Sequence, residues 1–164
     1  MKFETTRFGQ VEVDPESIVI FPDGLFGFPD CTRFTIIDEE RSYPFRMLQS
    51  LEKPSLAFVI VDPLVVWPDY HFTVTREDLK SVKAENPDDL LVYAIVTMAP
   101  KVEDITVNLQ GPLVMNPGRK LGHQYVLVNE GYTTREKLLI KKAQKQEVGQ
   151  RPAHTEGMSR KKAI

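Results

Sequence analysis

The stretch Ile105-Thr106-Val107-Asn108-Leu109-Gln110-Gly111-Pro112-Leu113-Val114-Met115-Asn116 carries the pattern from which the fold can be read. Its first half alternates: Ile105, Val107 and Leu109 point one way, and Thr106, Asn108 and Gln110 the other. Period 2 is the mark of a half-buried strand. Gly111-Pro112 then breaks the alternation, because proline cannot donate to a ladder and glycine permits a bend. A second apolar run, Leu113 to Met115, stops at the turn Asn116-Pro117-Gly118. The pattern predicts two strands joined at a corner, one of them flanked by a row of uncharged hydrogen-bonding side chains. Such rows are common on solvated sheet faces, so a structural role stands beside a binding one.

Similar patterning recurs on both sides of this stretch. Residues 2–14 read as a hairpin turning at Phe8-Gly9-Gln10, and residues 17–21 as a short strand. Residues 22–29 form a glycine- and proline-rich loop whose Leu25, Phe26 and Phe28 suit a lid over the core. Its two glycines three apart resemble an RNA-clamping loop, but no helix pattern flanks them. Strands are predicted at 34–37 and 46–50, and a central one in the continuous apolar run 56–61. Asp62, before Pro63, fits a turn former better than a catalytic acid. Residues 64–70 read as a bulky linker, with Trp67 packed on the core, leading into a strand at 70–74. Thr75 looks like an N-cap for a short helix to Lys83. Strands at 90–98 and 124–128, a basic turn at 118–122 and a helix-compatible run at 136–146 complete the pass. Many short strands, frequent turns and one or two short helices predict a mostly β chain, a small antiparallel barrel-like domain over 1–134. A basic segment with a flexible, disordered tail is expected over 135–164.

Composition narrows the function. The chain has 164 residues, enough for one domain with a substantial core. No apolar run is long enough to span a bilayer, and Cys31, the single cysteine, cannot form an intramolecular disulfide, which points to the cytoplasm. Residues 1–134 hold 12 basic and 20 acidic side chains, while 135–164 hold 9 and 3. An acidic body repels nucleic acid and attracts basic proteins. His71, His123 and His154 have no metal-ligand spacing, and no nucleophile elbow, phosphate loop or dinucleotide fingerprint occurs. The enzyme alternative would need a site assembled only by folding, Asp62 with His71 for example. A nucleic-acid-binding barrel is disfavoured because Phe21, Phe26, Phe28 and Trp67 lie among acidic or apolar neighbours.

Three motifs stand in a characteristic order: Phe21-Pro22-Asp23-Gly24-Leu25-Phe26-Gly27-Phe28, Phe58-Val59-Ile60-Val61-Asp62-Pro63 and Asn108-Leu109-Gln110-Gly111-Pro112-Leu113-Val114-Met115-Asn116. Leu48-Gln49-Ser50 falls between the first two. In this order they resemble the flagellar assembly factor FliW family over residues 2–134, with Gly111 where that family often has alanine. The resemblance implies a β-barrel without catalytic activity, cofactor or metal. It also implies two protein partners: newly made flagellin, near its C-terminal region, and the RNA-binding translational regulator CsrA, held allosterically and without RNA mimicry. Competition between them would tie flagellin synthesis to free flagellin. The expected contact surface is the row Thr106, Asn108 and Gln110, with Asn116 at the strand end and Glu103 and Asp104 at the rim; the competing expectation is that Asn108 and Asn116 only bond backbone at a barrel corner.

Overall fold

A computed structural model describes residues 1–138 and makes one long strand of the stretch read above as two. The strands are β1 (Lys2–Thr5), β2 (Gly9–Glu12), β3 (Val19–Ile20), β4 (Arg33–Ile37), β5 (Phe45–Ser50), β6 (Ala57–Val61), β7 (Leu91–Thr97), β8 (Thr106–Asn116), β9 (Leu121–Gln124) and β10 (Glu136–Lys137). Two short helices, α1 (Pro63–Val66) and α2 (Arg76–Ser81), lie between β6 and β7.

The predicted corner at Gly111-Pro112 is a bulge instead. On β7, Tyr93 pairs with Leu113 and Ile95 with Asn108, so Leu109 to Pro112 stand opposite Ala94 alone. The extra residues flip the faces: Val107 and Leu109 share one core with Val114, whereas Leu113 and Met115 enter the other. Partners change as well, since β10 pairs with Thr106 and Val107 and β9 with Leu113 to Asn116. A bulge bends and twists its strand while leaving the flanking ladders intact. That is why one strand replaces two.

Strands β8-β7-β6-β5-β4-β3-β9 form a continuous sheet, and β9 returns to β8, closing seven strands into a barrel. The one parallel contact among the described residues, Ile20 with Leu121, makes the closure between β3 and β9. Alternating residues of β6, β7 and β8 feed two cores. One holds Phe21, Phe34, Leu48, Ile60 and Leu113, with the Phe21 and Phe34 rings edge-to-face at 5.6 Å. The other holds Leu64, Trp67, Tyr70, Phe72 and Val82 over the outer face of β6–β8. Trp67 is therefore a core residue, as its sequence context suggests.

Local chemistry explains most boundaries. The 2–14 hairpin forms, with its turn at residues 6–8, earlier than the expected Phe8-Gly9-Gln10, and Gly9 at φ +65 opening β2 opposite Thr5. Asp62 caps α1 by accepting from the Leu64 N–H at 2.9 Å, so the predicted linker begins as a helix. Thr75 and Asp78 make a reciprocal capping box at the start of α2, which ends at Ser81. Asp14 caps a 3-10 turn at Pro15–Ser17, leaving only Val19–Ile20 of the predicted 17–21 strand. In β6, Ile60 and Val61 are buried, while Ala57 to Val59 are half-buried.

Three further expectations fail. Residues 70–74 alternate as a strand should, with Tyr70, Phe72 and Val74 buried, but they join no ladder; packing against the core satisfies the pattern without sheet partners. The strand predicted at 124–128 lies earlier, at Leu121–Gln124, displacing the expected basic turn to 117–120. Beyond Gln124 the chain stays extended beside the bulge, where regular pairing ends. Glu136 and Lys137 begin the predicted 136–146 helix as an edge strand instead, captured by the open edge of β8. The rest of that run and the predicted flexible tail lie outside the described residues.

Candidate partner-binding site

Asn108 sits inside the bulge, and its side chain shapes it. Its Oδ1 accepts the N–H groups of Gly111 at 2.8 Å and Gln110 at 3.1 Å, supplying backbone partners where β7 offers none. Gln110 reaches the Leu127 carbonyl through Nε2 at 3.4 Å, a long contact. Thr106 pairs with Thr97 on one side and Lys137 on the other. All three row residues are half-buried. The Thr133 carbonyl accepts from both Leu109 and Gln110, so the chain beyond residue 124 folds back along this row.

Glu103 and Asp104 lie in the exposed 3-10 turn Val102–Asp104 that leads into β8. The Lys137 ammonium stands 3.7 Å from Asp104 and donates to the Glu103 carbonyl at 3.2 Å. Met98 and Val102 are exposed on the same rim. Thr106, Glu103 and Asp104 thus share one edge with two apolar side chains. Asn116 is placed apart, at the other end of β8, beyond the bulge. It is buried, and its Nδ2 donates to the Val82 carbonyl at 2.9 Å and the Lys83 carbonyl at 3.2 Å. Its Oδ1 accepts from Gly118, so Asn116 ties the end of α2 to the turn before β9.

Two surface features escaped the sequence reading. Val126 and Val128, expected in a strand, are exposed beside Gln110, forming an apolar border to the polar row. A cleft of about 580 Å³ brings Asp62 together with Asp38, Glu39, Glu40, Arg46 and Tyr93. Arg46 holds Asp38 through two nitrogens and donates to the Tyr93 hydroxyl at 2.6 Å. Those hydrogen bonds hold the Asp38 carboxyl below its usual range, against some burial. His71 is absent from this cleft; its Nδ1 faces the Asp69 carbonyl at 2.8 Å. Asp62 and His71 are therefore not brought together. Among the described residues, no group of His, Cys, Asp and Glu is arranged to hold a metal ion.

The barrel can be set beside known proteins. The FliW protein family matches residues 2–138, from β1 through the edge strand β10. The chain belongs to the FliW family. The flagellar assembly factor FliW of Geobacter sulfurreducens is 39% identical over 156 residues, covering 95% of this chain and 98% of that one. FliW of Natranaerobius thermophilus is 37% identical over 139 residues, covering 84% and 92%. A crystal structure of the flagellar assembly factor FliW superposes with a TM-score of 0.79 at 33% identity, over 84% of this chain and 96% of that one. The family role is flagellar assembly, which requires a protein partner. No helix among the described residues is long and apolar enough to cross a membrane.

The motifs that resemble FliW have identifiable structural work here. Phe21 and Leu25 are buried under the 22–29 loop, and Gly24 at φ +68 leaves no space for a side chain beside the Phe28 carbonyl. Gln49 is fully buried and its Nε2 donates to the Ser50, Pro54 and Leu56 carbonyls, fixing the loop between β5 and β6. Asp62 caps α1 and Asn108 shapes the bulge. Such motifs identify the family through its fold; the contact surface must be sought around them.

Proposed function

We propose that this chain is a cytoplasmic flagellar assembly factor that binds flagellin near its C-terminal region and antagonises the translational regulator CsrA by partner switching. One observation carries the reading: the match to the FliW family spans residues 2–138, which include the whole closed barrel, and is not confined to one motif. The acidic body, 20 acidic against 12 basic residues over 1–134, suits a basic RNA-binding protein as one partner. The function needs binding alone, because two proteins competing for one surface are governed by concentration and affinity.

The contact surface in this reading is the β8 edge. Thr106 and Gln110 offer uncharged hydrogen bonds, Met98, Val102, Val126 and Val128 offer apolar area, and Glu103 and Asp104 steer a basic partner. Asn108 and Asn116 contribute by holding the bulge and the strand end. Isothermal titration of the full chain with purified flagellin and with CsrA tests it. Binding of each, with either displacing the other, is the expected result. Indifference to both at low salt overturns it.

A further inference from the structure

Among the described residues, no strand lies between two extended segments of the barrel, 72–74 and 125–128. In an extended chain, successive peptide groups point to opposite sides. The Tyr125 N–H bonds the Pro112 carbonyl at 2.9 Å and the Leu127 N–H bonds the Gln110 carbonyl at 2.8 Å, both on the β8 side. Val126 and Val128 must therefore turn their N–H and C=O groups away from β8, and these make no hydrogen bond among the described residues. Their side chains are 58% and 69% exposed.

Residues 126–128 line an open groove of about 260 Å³ together with Thr73, Thr75 and Asp78. On that opposite wall, Phe72, Thr73 and Val74 also make no backbone hydrogen bond among the described residues, although Phe72 and Val74 are only 3% and 2% exposed. Packed side chains form the floor, where the Phe72 and Tyr125 rings meet edge-to-face at 6.4 Å. Backbone groups this close to a packed interior ordinarily find partners, and an open strand edge is a template for one.

We propose that this groove receives an extended peptide segment of a partner protein as an added strand. The segment would hydrogen-bond to Val126 and Val128 through its main chain and lay β-branched side chains against them. Charge sets its character: the lining contains Asp78 and Glu130 and no lysine or arginine, with His123 as its one imidazole, so the segment carries a basic residue. The inference does not depend on the identity of the flagellar partners proposed above, and its test uses neither.

The probe is the capped peptide Lys-Val-Thr-Val-Thr-Lys, titrated into the full-length chain while amide exchange is followed by NMR. Saturation should slow exchange at Val126 and Val128 by at least about tenfold, the signature of new main-chain hydrogen bonds. Methylating alternate peptide nitrogens should weaken binding by about tenfold or more, because donors are lost while the side chains stay. Glu130→Gln should weaken it about threefold and reduce its salt dependence. No binding at millimolar peptide, protection elsewhere, or equal affinity of the methylated peptide overturns the proposal. Concentration-dependent protection without peptide, matched by dimer in sedimentation, also overturns it, since the occupant would then be a second copy of the chain.

Discussion

Asn108→Ala separates a bulge-shaping residue from a partner contact. The substitution removes the acceptor for two backbone N–H groups, Gly111 at 2.8 Å and Gln110 at 3.1 Å. The Gln110 N–H keeps a second acceptor, the Thr133 carbonyl at 3.2 Å, whereas no other acceptor faces Gly111 among the described residues. The loss is thus about one full hydrogen bond with its desolvation cost, plus a fraction of another, or about 2 kcal/mol. For a chain of this length that lowers the melting temperature by about 4–8 °C. Asn108→Asp keeps the acceptor and should stay within about 0.5 kcal/mol of the wild type. Thermal and urea unfolding of both variants provide the measurement, with flagellin titration alongside. If Asn108→Ala melts within about 1 °C of the wild type, Oδ1 does not hold the bulge and the reasoning is refuted. If it keeps its stability but loses flagellin, the side chain is a direct contact.

Other substitutions test other parts of the argument. Gly122→Ala places a Cβ 2.5 Å from the fully buried Phe21 ring, so it should cost about 2–3 kcal/mol in urea unfolding. Asn116→Ala strands the Val82 and Lys83 carbonyls and should cost about 2 kcal/mol, with exchange of the amides around residues 82–84 rising first. Asp38 has its folded pKa depressed by Arg46, so its contribution is present above its unfolded value near about 4 and lost as pH falls below it. Asp38 is largely exposed, so Asp38→Asn should lower stability at pH 7 by less than about 1 kcal/mol, and that gap should close in acid. A gap that persists unchanged at pH 3 counts against the assignment. Replacing Glu103 and Asp104 with their amides should slow CsrA association several-fold at low salt, with little change at high salt, in stopped-flow measurements.

Local rules were enough where a short-range constraint acted alone. The hairpin at residues 2–14, the Thr75 cap, the Asp62 turn and the buried Trp67 all follow from neighbours within a few positions. At residues 70–74 the expected strand is absent although Tyr70, Phe72 and Val74 are buried in alternation, because burial alternation and strand pairing are separate facts. Side chains can satisfy the first against a core while the backbone finds no neighbour. The same distinction explains the shift from 124–128 to Leu121–Gln124: pairing ends where β8 bulges, and nothing in residues 125–128 announces that.

The six residues expected to form the contact surface rest on residue type, on spacing around β8 and on the family pattern at Asn108–Pro112. Folding put Glu103, Asp104 and Thr106 on one edge, turned the Asn108 carbonyl oxygen to the backbone, and sent Asn116 into the interior at the far end. Polar residue types in a row state that hydrogen bonds are needed, but not whether the partner is another molecule or the chain itself.

By itself the sequence determined the strand-rich class, the acidic body and the interruption at Gly111-Pro112, because composition, period 2 and proline chemistry are properties of neighbouring residues, and the order of its three motifs carried the resemblance to the family. Only the tertiary structure decided that the interruption is a bulge, that β9 closes the barrel onto β8, and that Val126 and Val128 stand beside a groove open among the described residues. Those outcomes depend on which distant backbone groups meet, and a hydrogen bond between residues far apart in the chain leaves no mark on either residue's local pattern.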